Sequence, residues 1–183
     1  LHLSHGPSAV SPVFLLSATH VALLIVGFPQ ERNMRGGTEN VAGIVGLSQA
    51  LALAHENMHQ DRHYIQGLKD RMIQRLRNVI PGGAFNGLSA DAQSSLYTIL
   101  SVSLPPADSH DMLVFNLDIQ KIAASVGSAC ASGSAVGSHV LQALSTDQRR
   151  GTVRFSFSRY NTAEEIDYVV EQLAALSGRG GGA

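Results

Sequence analysis

The chain has 183 residues, 44% of them hydrophobic and 15% charged, with a formal net charge of −1. That balance belongs to a globular chain, not a disordered one, and gives no electrostatic footprint for nucleic acid or an anionic membrane. A single cysteine excludes an internal disulfide and a cysteine-based zinc site within one chain, and it fits a reducing, cytoplasmic compartment.

The length suits one domain, or one domain with a piece of another. No basic stretch precedes the first apolar run, so the opening residues do not read as a secretory signal. Residues 12–29 are strongly apolar but are bounded by Pro12 and Pro29 and interrupted by Ser17, Thr19 and His20. A membrane-spanning helix wants about 20 apolar residues, so this segment predicts two buried strands joined by a turn, with a membrane-associated segment as the alternative. The polar run Gln30 to Asn40 follows. Thr38 reads there as an N-cap, and a helix start is a natural anion site, with ordinary capping as the alternative.

From Glu39 to Ile80 the pattern is helical, with Val41, Ile44, Val45 and Leu51 in an early run and Ile65, Leu68, Met72, Leu76 and Ile80 in a later one that steps by three or four residues. Such a length predicts a break near residues 58–62, and Pro81-Gly82-Gly83 predicts the end. Tyr97 to Leu104 alternates as a strand closed by Pro105-Pro106. His110 to Leu117 reads as a short helix, Ile122 to Ser125 as a short strand, and Ser138 as the cap of a helix over Val140 to Leu144. Thr152 to Ser158 is the clearest strand: Val153, Phe155 and Phe157 face one way, Arg154, Ser156 and Ser158 the other. Thr162-Ala163-Glu164-Glu165 is a capping box, opening a helix with the stripe Ile166, Val169, Val170, Leu173 and Leu176. Residues 178–183 form a glycine-rich tail that predicts flexibility.

Three places carry candidate chemistry. Cys130 lies in Ser125-Val126-Gly127-Ser128-Ala129-Cys130-Ala131-Ser132-Gly133-Ser134, a run with almost no side-chain area to bury. It predicts an exposed loop carrying one thiol, against the alternative of a buried, inert cysteine. His55-Glu56-Asn57-Met58-His59 matches H-E-x-x-H, with His63 one turn further on the same helix face. It reads as a zinc-hydrolase motif or as a solvated polar face. The neighbouring Gln60-Asp61-Arg62 favours the second, and no metal ligand is assigned. Arg154, on the polar side of its strand beside Ser156, can grip a carboxylate through two parallel hydrogen bonds or make a surface ion pair.

Taken together and in order, several segments resemble cysteine desulfurases, in the class V aminotransferase-like group of pyridoxal phosphate enzymes. They are Gln30 to Asn40, Met112 to Asp118, Gly127-Ser128-Ala129-Cys130, Val153-Arg154-Phe155-Ser156 and Asn161 to Asp167. The resemblance implies an α/β fold, the C-terminal portion of a fold-type I pyridoxal phosphate-dependent transferase. Residues 1–38 would be a remnant of the large domain, 39–80 a connecting helical region, and 81–177 a small α+β domain. It implies removal of sulfur from L-cysteine to give L-alanine and a persulfide on Cys130, for a sulfur acceptor or an iron–sulfur scaffold. Arg154 would hold the substrate α-carboxylate. Thr38 would reach the cofactor phosphate in the neighbouring subunit of a homodimer.

The match departs at the start. His2, His5, Gly6 and Pro7 fit the family's run H-K-x-H-G-P, but Leu3 stands where the family carries its Schiff-base lysine. The two lysines of the chain, Lys69 and Lys121, lie in no such motif, and the family's N-terminal half has no counterpart. The chain alone is therefore expected to be inactive as a desulfurase. A non-catalytic sulfur acceptor or partner-binding module is the alternative reading that keeps Cys130.

Overall fold

The computed structural model describes residues 10, 27, 29–30, 32, 35–106, 112–126, 138–144, 147 and 149–178. The predicted strands within 12–29, the cysteine run from 127 to 134, the Leu3 position and the tail beyond 178 lie outside them, apart from Gly27, Pro29 and the first two residues of the cysteine run. The chain divides into two compact units, Leu1–His59 and Gln60–Ala183, with the boundary inside one helix.

In the first unit, β1 (Pro29–Gln30) pairs antiparallel with β2 (Arg35–Gly36). An Nη of Arg35 donates to the carbonyls of Gly36 and Gly37 at 2.8 and 2.9 Å, and Gly37 turns the chain with a φ of 93°. Helix α1 (Val41–Val79) then begins. Its cap is Asn40, whose Oδ1 accepts the Gly43 N–H at 3.0 Å, rather than the expected Thr38. Thr38 lies two residues too early to reach the first free helical N–H groups.

Helix α1 runs 39 residues without the break expected near 58–62. Nothing in that stretch lacks a backbone donor or favours a left-handed turn, so the hydrogen-bond ladder continues. The polar residues serve another purpose in the second unit. Asp61 accepts from Arg159 at 3.2 Å, and Tyr64 Oη donates to the Asn161 carbonyl at 2.7 Å.

The second unit holds a three-stranded antiparallel sheet of order β3 (Ala84–Phe85), β4 (Ile99–Pro106), β5 (Arg150–Ser156). Leu100 faces Phe155 and Val102 faces Val153 across β4 and β5, and all four are buried. On this side lie Ile65, Leu68, Met72, Ile73 and Leu76 of α1, Leu113 and Leu117 of α2 (Leu113–Ile119), and Ile166, Val170 and Leu173 of α4 (Ala163–Gly178). Period 2 in the strands and period 3.6 in the helices thus meet in one core. At the far end of β5, Arg150 Nε donates to Ser103 Oγ at 2.7 Å, satisfying a serine that the core otherwise buries.

Helix α2 ends in a paired C-cap. Ile122 N–H donates to the Leu117 carbonyl at 2.9 Å and Lys121 N–H to the Asp118 carbonyl at 2.8 Å, with Lys121 left-handed at φ 60°. Residues 122–125, expected as a strand, contribute only a single bridge, Ser125 to Arg154. The short α3 (His139–Ala143) forms near its expected place, but the Ser138 side chain makes no capping bond. The capping box of α4 is present: Glu165 N–H reaches Thr162 Oγ1 at 3.3 Å, and Thr162 N–H reaches Glu165 Oε2 at 3.1 Å.

Candidate functional site

The two faces of the β4–β5 pair differ in chemistry. Residues alternate across a strand, so the face opposite the core carries Ser101, Thr152, Arg154 and Ser156. Ser101 lies directly opposite Arg154. Over this face runs a groove of about 460 Å³. Arg154, Ser125, Ser101, Thr152 and Asn86 line it from the sheet side, and His139 lines it from α3. Asn86 is held in place by its Nδ2 donating to Ser101 Oγ at 3.0 Å.

Arg154 is exposed, as the alternation predicted. Its main chain exchanges two hydrogen bonds with Ser125: Arg154 N–H to the Ser125 carbonyl at 2.7 Å, and Ser125 N–H to the Arg154 carbonyl at 3.1 Å. Its Nε donates to Ser125 Oγ at 3.2 Å. Among the described residues no acidic side chain pairs with it, so the surface ion pair weighed from sequence is not what holds it. A guanidinium presented this way to an open groove, whose α3 side adds the apolar Val140, Leu141 and Leu144, can receive a carboxylate.

Sequence reasoning passed over Ser125 as a binding-face residue. Its partner lies 29 positions away, and no local pattern marks such a pairing. The one available signal was the short strand expected over residues 122–125.

The remaining candidates are not brought together. Thr38 is exposed ahead of α1 in the first unit. Cys130 and Leu3 lie outside the described residues. His55, Glu56, His59 and His63 are all exposed along α1, and among the described residues no group of three or more His, Cys, Asp or Glu side chains could hold a metal ion. No described helix is long and apolar enough to cross a membrane.

Pyridoxal phosphate chemistry needs an accessible lysine amine for its imine. Lys69 is fully buried, and its Nζ donates to Ser95 Oγ and to the Leu96 carbonyl, each at 2.8 Å. Burial lowers its pKa, against the opposing pull of Asp70 and Asp91. Lys121 is exposed in the left-handed cap of α2. Neither lysine lines the Arg154 groove. The described residues therefore do not fit the imine-forming role.

Comparison with known proteins places this geometry. The family model for aminotransferase class-V matches residues 23–169. The chain is 37% identical over 177 residues to the cysteine desulfurase IscS of Clostridium botulinum, spanning 96% of this chain and 44% of that protein. To the cysteine desulfurase NifS of Azotobacter vinelandii it is 36% identical, spanning 96% and 43%. A solved structure described as a NifS-like protein superposes with a TM-score of 0.77 at 29% identity, covering 96% of this chain and 44% of that one. The NifS-like protein of Rickettsia africae shares the fold, with a TM-score of 0.71 at 23% identity. The chain thus spans less than half the length of these relatives. With its matched span, its mixed α/β architecture and the motifs in order, the chain belongs to the class-V aminotransferase family, whose cysteine desulfurases depend on pyridoxal phosphate.

Proposed function

We propose that this chain carries the carboxylate-binding and sulfur-accepting portion of a cysteine desulfurase. The observation that carries the reading is Arg154, exposed on the polar face of β5, lining a 460 Å³ groove and joined to Ser125, five positions before Cys130. In this reading Arg154 pairs with the α-carboxylate of L-cysteine. The net transformation is balanced: L-cysteine and the Cys130 thiol give L-alanine and the Cys130 persulfide, with no external oxidant or reductant. A thiolate is the reactive form of such a group. Thr38 meets the cofactor phosphate of a neighbouring subunit in a homodimer, and a sulfur-acceptor or iron–sulfur scaffold protein takes the persulfide sulfur, in the cytoplasm.

The isolated chain does not turn over on this reading, because Leu3 cannot form an imine and neither lysine is placed to replace one. Incubation with pyridoxal phosphate, borohydride reduction and mass spectrometry should detect no stoichiometric lysine adduct. A stoichiometric adduct accompanied by alanine release would overturn the claim of inactivity. Leu3→Lys in this chain, co-expressed with a polypeptide matching the N-terminal portion of a family member, should yield alanine from L-cysteine. Cys130→Ser should abolish that alanine.

A further inference from the structure

We propose that Ser125 is the positioning residue for Arg154, setting which edge of its guanidinium faces the groove. The proposal rests on the reading of Arg154 as a carboxylate-binding group. One hydroxyl makes two bonds to the same residue: Ser125 Oγ accepts from Arg154 Nε at 3.2 Å and donates to the Arg154 carbonyl at 3.4 Å. The paired backbone bonds of 2.7 and 3.1 Å hold the two residues in register. Ser125 is thus a clasp closing on the side chain and the main chain of its partner at once.

The chemical consequence lies in what is left over. A guanidinium can meet a carboxylate side-on, through Nε and one Nη, or end-on, through both Nη atoms. Ser125 occupies Nε. Among the described residues neither Nη of Arg154 has a partner. The end-on edge is therefore the one offered to a ligand. Arginine has large rotamer freedom, and restraining it before binding lowers the cost of ordering it on binding. Alanine at 125 keeps the backbone bridge but loses the clasp, whereas threonine keeps a hydroxyl.

The test uses the full chain, labelled with ¹⁵N, and follows the Arg154 Nε–Hε group by NMR. In the wild type this proton should exchange with solvent about three- to tenfold more slowly than that of the exposed Arg62, the protection expected of one hydrogen bond at a partly exposed site. Ser125→Ala should remove the protection and Ser125→Thr should restore it. Equal exchange at Arg154 and Arg62 in the wild type overturns the proposal, and this arm needs no variant to fold. Retained protection in a folded Ser125→Ala does the same. Propionate is then titrated as the carboxylate probe. Its affinity should fall about three- to tenfold in Ser125→Ala and recover in Ser125→Thr, and equal affinity in wild type and Ser125→Ala overturns the positioning role. If propionate leaves Arg154 unmoved in every protein, the carboxylate reading fails, and the exchange arm still decides the role of Ser125.

Discussion

Asp167 of α4 takes the guanidinium of Arg71 of α1 along one edge, with Nε 2.8 Å from Oδ1 and an Nη 2.6 Å from Oδ2. Arg75, one turn further along α1, adds a contact of 3.1 Å to the same carboxylate. The bidentate geometry is the kind that outperforms an ordinary surface pair. Its hydrogen bonds hold the Asp167 carboxyl below its usual pKa, chiefly through Arg71.

That shift fixes a sign. A carboxylate whose folded-state pKa is lowered stabilises fully above its ordinary titration range, and the contribution is lost as pH falls through the lowered value. Asp167→Asn should therefore melt below wild type at neutral pH, and the two should converge in acid. Thermal melts followed from neutral pH into acid check this. A gap that stays constant across the range would contradict it.

Lys69 carries the opposite kind of test. It is a fully buried amine with two hydrogen bonds to the segment after β3, one to Ser95 Oγ and one to the Leu96 carbonyl. Lys69→Ala removes a packed stem and should cost about 2–5 kcal/mol in chemical denaturation. The pKa of Lys69 is lowered from 10.5 by burial, so between the folded-state value and 10.5 the unfolded chain binds more protons. The stability of wild type relative to Lys69→Met should rise with pH across that window.

Two glycines of α1 should respond oppositely to alanine. A methyl at Gly67 would meet nothing within 4 Å. Gly67→Ala should stabilise by about 0.5–1 kcal/mol, through helix propensity and the entropy of the unfolded chain. At Gly43 the same methyl would come within 2.5 Å of Val10 Cγ2 and 2.6 Å of Asn40 Nδ2, the latter belonging to the cap residue. Gly43→Ala should destabilise by about 1–3 kcal/mol. Urea unfolding of the pair separates the two mechanisms.

Lys121 holds a left-handed conformation at φ 60° in the cap of α2, where glycine has no steric penalty. Lys121→Gly should raise stability by about 1 kcal/mol, with the caps around Leu117 and Ile122 unchanged in amide protection.

Periodicity made the core legible in advance. Val153, Phe155 and Phe157 against Arg154 and Ser156, and Ile166, Val170 and Leu173 along α4, are local patterns that burial simply completes. The capping box at Thr162 and Glu165 is equally local. The motifs in order carried the family resemblance for the same reason, since each is a short run that needs no partner to be recognised. The failures were also local inferences. Thr38 has a capping residue's chemistry but the wrong position beside Asn40, and length alone suggested a break in α1 where the backbone had no cause to stop.

Arg154 belongs to both accounts. Alternation within its own strand was enough to put it on the polar side. That it faces a groove, has no acidic partner among the described residues, and is clasped by Ser125 required a pairing across 29 residues. Tertiary structure alone could make that choice, because a hydrogen bond between distant segments leaves no periodic mark in either of them.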